Sequence, residues 1–298
     1  MNGTAFWLCP RRTVPLDKEV FMNPLLLTTI IIAGLALLVL LLGVYMIYPG
    51  KGRREMEKYR RVKYAHRGLH DKEKAENSMS AFKAAKEHGY GIELDVRLSK
   101  DGELVVFHDD DLARVVGKEG RVNEFTKEEL VKMSLLGTED TIPTLREVLD
   151  LIDGAVPLLI ELKSTTKECG VAEKFVEVIE GYKGEYIVES FNPLELRTLR
   201  KMRPDIIRGI LSFEYSKEDK YKGKLLFTLC EKLMLNFLMR PDFIAYDHNG
   251  YTVRNLRLIR RSFGTPLIAW TVKSLEDEEK AICHGFDTVI FEGYFPEK

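Results

Sequence analysis

Nine short β-rich runs between residues 62 and 291 constrain the fold more than any other feature of this chain. They read "VKYAH", "GIELDV", "LVVFHD", "PLLIELK", "YIVES", "RGIL", "FIAYD", "LIAWT" and "DTVIF", with helical patterns between most of them. Strands alternating with helices predict βαβ units and a parallel sheet. One pair is an exception. Only seven residues, "RLSKDGE", separate Val96 from Leu104, with a turn signal at Asp101-Gly102. A parallel crossover needs about a dozen residues or more, so these two runs are expected to form a hairpin. Eight strands remain, which predicts an α/β fold of the (β/α)8 TIM-barrel class. The chain stops at Lys298 without room for a full eighth helix. The N-terminal linker is therefore expected to cover that edge.

Helix signals fit this frame. Asn77 is expected to cap a helix over "SMSAFKAAKEHG" that ends at Gly89. Thr126 with Glu129, and Thr144 with Glu147, have capping-box spacing. Residues 109–142 form a long connection with a short helix, and long connections in compact domains are often functional. Residues 224–240, "KLLFTLCEKLMLNFLMR", read as one helix whose apolar residues exceed a narrow face. Such a helix is either buried against the barrel or rests on a bilayer.

The N-terminal region has a different character. No charged residue occurs between Glu19 and Lys51, and Pro24 to Tyr48 is a run of 25 mostly apolar residues. About 20 apolar residues span a bilayer, so one uncleaved transmembrane helix is expected. The run is too long for a signal peptide, and no small-x-small cleavage site follows it. Lys51, Arg53, Arg54, Lys58, Arg60, Arg61 and Lys63 follow the helix, whereas only Arg11, Arg12 and Lys18 precede it. Positive flanks stay in the cytoplasm, so the protein is expected to be single-pass with its large C-terminal part cytoplasmic. The expected division is a short segment 1–23, an anchor 24–48, a basic juxtamembrane linker 49–61 and a barrel domain 62–298. Cys9, Cys169, Cys230 and Cys283 lack zinc or disulfide spacing, which suits a reducing compartment. A net charge of −1 removes any bulk electrostatic case for nucleic acid.

Chemistry in such a barrel sits at the C-terminal ends of the strands. His66 and Arg67 end the first strand. Glu93 and Asp95 lie two apart, hence on one face of the second. His108 ends the hairpin, and Glu161 ends the next barrel strand, with Lys163 two residues on. If the hairpin turn is centred on Lys100 and Asp101, Glu93 and His108 are directly opposed and share a face. Three carboxylates without a cysteine ligand suit a hard divalent cation, Mg2+ or Ca2+. Two histidines can move protons near neutral pH, and Arg67 and Lys163 can bind phosphate. The set fits metal-assisted displacement at phosphorus.

The soluble part resembles the glycerophosphodiester phosphodiesterase family. The resemblance is carried by "AHRG", "AENSMSAFKAA", "GIELDVRLSKDGELVVFHD", "IPTLREVL" and "LIELK", with "ESF" and "AWTV" behind them. It is close over residues 63–165 and looser beyond. It implies a TIM barrel that hydrolyses glycerophosphodiesters to an alcohol and glycerol phosphate. It implies an acid/base pair at His66 and His108, a metal on Glu93, Asp95 and Glu161, and phosphate contacts from Arg67 and Lys163. One departure is "VIFEGYFP", where Glu292 stands near the family's usual Asp. The nucleophile is water or the substrate's own glycerol hydroxyl, and either histidine can act first. A lysophospholipase D acting on membrane lysophospholipids is the alternative enzyme. A membrane-tethered binding protein on an inactive barrel is the alternative of another class. The expected partners are the substrate and the bilayer, with no protein partner.

Overall fold

The computed structural model describes residues 23–50, 55–164 and 170–297. The segment before Asn23, the flanking Lys51, Arg53 and Arg54, and Cys9 and Cys169 lie outside the described residues. The chain divides between Leu42 and Gly43 into two units. Helix α1 (Pro24–Ile47) has 24 residues without a charge, and its length and composition suffice to cross a membrane.

All nine runs form strands: β1 (Tyr64–Ala65), β2 (Gly91–Leu98), β3 (Leu104–Val106), β4 (Leu158–Leu162), β5 (Tyr186–Ser190), β6 (Arg208–Ser212), β7 (Phe243–Asp247), β8 (Leu267–Val272) and β9 (Thr288–Phe291). Eight are parallel and closed into a barrel, because β1 pairs with both β2 and β9. The helices that follow α1 are α2 (Met79–Glu87), α3 (Ala113–Val116), α4 (Lys127–Leu130), α5 (Leu145–Ile152), α6 (Val171–Ile179), α7 (Pro193–Met202), α8 (Leu225–Glu231), α9 (Asn236–Met239), α10 (Arg254–Phe263) and α11 (Leu275–Cys283).

Alternation along each strand builds two different interiors. Ile92, Leu94 and Val96 of β2, and Leu158, Ile160 and Leu162 of β4, pack against the helices. The intervening positions point into the barrel. There Tyr64, Leu159, Ile187, Leu211, Phe243, Ile268 and Ile290 form an inner apolar layer, and Glu93, Asp95 and Glu161 lie beyond it toward the C-terminal strand ends. Gly209 is paired with Phe243, and a β-carbon at Gly209 would collide with the Phe243 ring. Only glycine leaves that ring its place in the barrel.

The linker does more than connect. Residues 55–59 form a 3-10 turn whose Met56 and Tyr59 are buried in the inner layer. Lys58, Arg60 and Lys63 pair with Glu185, Asp287 and Glu278. Three of the seven basic residues after the apolar run thus bind acidic groups of the barrel domain. Residues 45–50 also belong to the barrel unit. Gly50 N–H donates to Pro241 O at 2.7 Å, and Arg240 donates to Tyr45 O and Tyr48 O. Tyr90 donates to Pro296 O, so the C-terminal tail lies against the exit of α2.

Three local expectations are corrected. The hairpin pairs Val96 with Val106 and Leu98 with Leu104. Its turn is centred on Asp101 alone, because Ser99 N–H bonds Glu103 O and Gly102 takes a positive φ of 77°. That moves the register by one residue, and a one-residue slip exchanges faces. The observed pairs therefore do not set Glu93 opposite His108, which lies beyond the end of β3. Helix α2 is capped by Ser78, whose hydroxyl accepts from Ala81 N–H, and not by Asn77. Residues 224–240 are not one helix. They form α8 and α9, broken at Leu233, which has a φ of 57°.

Candidate active site

The turn after β1 explains the triplet His66, Arg67 and Gly68. Arg67 and Gly68 take positive φ values of 55° and 81° in succession. Gly68 N–H closes the turn on Ala65 O, and Arg67 N–H donates to Glu93 Oε2 at 2.8 Å. Gly68 lies against the backbone of Ala81, where a β-carbon would not fit. The backbone reverses tightly enough to send His66 and Arg67 to the same pocket.

Glu93, Asp95 and Glu161 offer oxygens that all lie within 4.8 Å of one another. Their exposures are 2%, 1% and 6%. Asp95 Oδ2 accepts from Asn77 Nδ2 at 2.8 Å, whereas Asp95 Oδ1 is buried without a hydrogen bond. Lys163 Nζ stands 3.2 Å from Asp95 Oδ1 and 2.9 Å from Glu161 Oε2. Burial, reinforced by Asp95, pushes the Glu93 carboxyl well above its usual range. Burial likewise raises Glu161 to about 7. Burial acts the same way on Asp95, but Lys163, His108 and Arg67 outweigh it and hold that group low. Three crowded, buried carboxylates are the donor set of a hard cation, so the cluster fits a divalent ion.

The two histidines are held alike. His66 Nδ1 lies 2.7 Å from Glu292 Oε2, and His108 Nδ1 lies 2.6 Å from Asp109 Oδ1. A carboxylate accepts only, so each ring places its proton on Nδ1 and leaves Nε2 for chemistry. Burial lowers the pKa of both, that of His108 to about 4, so both rings are neutral at pH 7. Glu292 is tied in turn to Lys273 at 2.9 Å. Asp109 receives Arg114 at 2.6 Å, Arg114 binds Glu76, and Glu76 receives Arg67 at 2.6 Å.

All seven residues expected from the sequence belong to this constellation. His66, Arg67, Glu93, His108, Glu161 and Lys163 line one pocket of 90 Å³, with Glu189, Phe191 and Trp270 among its other walls. Asp95 lies buried beneath it. His108 arrives differently from the expected way. It follows the end of β3, where the chain leaves the ladder, so its position comes from the bend and not from strand alternation. Reading the sequence missed the supporting layer of Glu76, Asn77, Asp109 and Arg114, and assigned no role to Glu292. Four of these lie inside or beside the quoted runs, but nothing in their spacing names their partners. A ring nitrogen of His70 lies within 4.8 Å of potential ligand atoms of His66 and Glu292.

This geometry has relatives. The model of the glycerophosphoryl diester phosphodiesterase family matches residues 66–292. A glycerophosphodiester phosphodiesterase of Caldanaerobacter subterraneus is 35% identical over 237 residues, covering 76% of this chain and 91% of that one. The glycerophosphodiester phosphodiesterase structure of Thermotoga maritima superposes with a TM-score of 0.60 at 28% identity, covering 77% of this chain and 94% of its own. A phosphodiesterase of Oleispira antarctica, solved with its product sn-glycerol-3-phosphate, has the same fold, with a TM-score of 0.64 at 24% identity over 78% of this chain and 94% of that one. With the matched span running from the first histidine of the pocket to its last carboxylate, the chain belongs to the glycerophosphoryl diester phosphodiesterase family.

Proposed function

We infer that this chain hydrolyses glycerophosphodiesters to an alcohol and glycerol 3-phosphate, and that His66 and His108 are its acid/base pair. The observation that carries the assignment is the pairing of each histidine with a carboxylate through Nδ1, beside three clustered carboxylates and two cations. Glu93, Asp95 and Glu161 would hold Mg2+ or Ca2+. When bound, such a cation offsets charge that develops at phosphorus. Arg67 and Lys163 bind the phosphate oxygens, and Glu76 fixes the Arg67 guanidinium. One histidine takes a proton at Nε2 from the nucleophile, which is water or the substrate's own glycerol hydroxyl. The other, once it has taken up a proton at Nε2 and become an imidazolium, gives that proton to the departing alcohol. Glu292 and Asp109 hold the rings in the tautomer this needs and favour the imidazolium once it forms. The nearly neutral chain gives no reason to expect nucleic acid as a partner.

The helix at Pro24–Ile47 acts as a single-pass anchor in the bilayer, and residues 62–298 form the catalytic domain on the cytoplasmic side, as the excess of Lys and Arg after the helix supports. Turnover of glycerophosphocholine by the purified full chain, measured with EDTA and then with added Mg2+ or Ca2+, tests the reaction. Full activity in EDTA would overturn the metal assignment. A reporter fused after Lys298 tests the orientation and is expected to behave as cytoplasmic.

A further inference from the structure

A second pocket lies on the flank of the barrel, between α10 and α11, and shares no lining residue with the catalytic pocket. It has a volume of 240 Å³. Arg257, Arg260, Arg261 and His284 line it, and Tyr251 stacks on the His284 ring with the centroids 3.5 Å apart. Among the described residues, no acidic side chain lines it. Arg260 is already engaged, since it donates to Asp287 Oδ1 at 2.8 Å. Arg257 and Arg261 are exposed, and their guanidinium groups make no ion pair or hydrogen bond among the described residues. They stand four apart on one helix, where like charges repel. The helix dipole favours Arg260 and Arg261 in the last turn of α10, but it does not reach Arg257. Two unpaired guanidinium groups beside a cavity form a site for an anion, and their planar forks match phosphate oxygens.

The surroundings of the pocket point to the source of that anion. Phe263 ends α10, two residues past Arg261, and its ring meets that of Tyr48 edge-on at 5.1 Å. Arg240 lies over the Tyr45 ring at 4.6 Å and donates to Tyr45 O and Tyr48 O. Both tyrosines stand at the end of the apolar run and belong to the same unit as the barrel. Tyrosines in that place mark the head-group level of a bilayer. We propose that the pocket between α10 and α11 seats the phosphate of an anionic glycerophospholipid on Arg257 and Arg261, giving the barrel domain a second hold on the leaflet. This rests on the reading of Pro24–Ile47 as an anchor. The lipid is held and not turned over, because none of the proposed catalytic groups lines this pocket.

The test uses the full chain in dodecyl maltoside micelles, so that the apolar helix is solvated equally in every arm. Dioleoylphosphatidylglycerol, dioleoylphosphatidylcholine, glycerol 3-phosphate and inorganic phosphate are titrated separately, and bound ligand is counted by native mass spectrometry. The native chain is expected to take up phosphatidylglycerol in preference to phosphatidylcholine. Arg257→Gln and Arg261→Gln alter exposed positions, and thermal unfolding verifies that both fold. Each is expected to weaken phosphatidylglycerol binding by roughly fivefold, and the pair by about twenty-fivefold. Arg254→Gln removes a charge from the same helix outside the pocket and is expected to leave that binding unchanged. Glycerophosphocholine turnover is expected to stay the same in every variant. Equal uptake of phosphatidylcholine, or an Arg254 variant that loses as much as the pocket variants, would overturn the site. Displacement of the lipid by an equal concentration of inorganic phosphate or glycerol 3-phosphate would overturn the lipid as its source. Release of the full chain from membranes by alkaline carbonate, read independently of the pocket, would overturn the anchor on which that source rests.

Discussion

His66 and His108 occupy equivalent electrical positions although one follows a barrel strand and the other follows a hairpin. Each presents Nδ1 to a carboxylate that is itself held by a cation, Lys273 for Glu292 and Arg114 for Asp109. The proposed roles predict that His66→Ala and His108→Ala each lower kcat by roughly 10²–10⁴-fold, measured on glycerophosphocholine. Near-native turnover in either variant would remove that residue from the mechanism. The carboxylates make a second prediction. Without a cation, burial keeps Glu161 protonated up to about pH 7, and Glu93 is raised as well. A carboxyl whose folded pKa is raised loses stability as pH climbs from its unfolded value through the folded one. A cation needs the ionised form and relieves that loss. Mg2+ or Ca2+ at a hundredfold excess over Kd should therefore raise Tm by roughly 5–10 °C near pH 8, and much less near pH 5. Calorimetry at the two pH values checks this, and equal shifts at both would contradict the carboxylate site.

Helix α2 shows how one element divides its labour between adjacent residues. Ser78 caps it, while Asn77, in the left-handed region at φ 55°, turns its amide onto Asp95. Asparagine tolerates that conformation better than most residues. The two substitutions should separate cleanly. Ser78→Ala is expected to cost about 0.5–2 kcal/mol of stability in denaturant unfolding with kcat preserved. Asn77→Ala is expected to lower kcat/KM and weaken cation binding, because it leaves Asp95 without its fixing hydrogen bond. Reversed outcomes would restore Asn77 as the cap. The same helix shows what sequence can express. Both residues are good caps by type, and only the neighbouring strand decides which one is occupied elsewhere.

Across the barrel domain, the mouth and the opposite end are closed by different means. The mouth is polar and built from strand ends, whereas Met56 and Tyr59 fill the inner layer from the linker side. Removing such side chains leaves a cavity that the rigid strands cannot collapse around. Met56→Ala is therefore expected to cost about 2–5 kcal/mol, read from denaturant unfolding. A form of the chain beginning at Val62 should be less stable than one that keeps residues 55–61. Equal stability would show that the linker only tethers. The ion pairs of Lys58, Arg60 and Lys63 with barrel residues belong to this closure.

The strand count, the hairpin, the apolar helix and the seven residues of the proposed site were legible in the sequence because their signals are local. Period-two alternation names Glu93 and Asp95 as neighbours on one face, and loop length separates a hairpin from a crossover. The tertiary structure alone decided the one-residue register around Asp101, the route of His108 into the pocket, and the break of residues 224–240 into α8 and α9. It alone joined Glu76, Arg114 and Glu292 to the site and put Met56 and Tyr59 inside the barrel. The physical reason is that these outcomes depend on which distant loops meet at a strand end. A hydrogen bond between residues 66 and 292 has no sequence period, and it exists only once β1 has closed the barrel against β9.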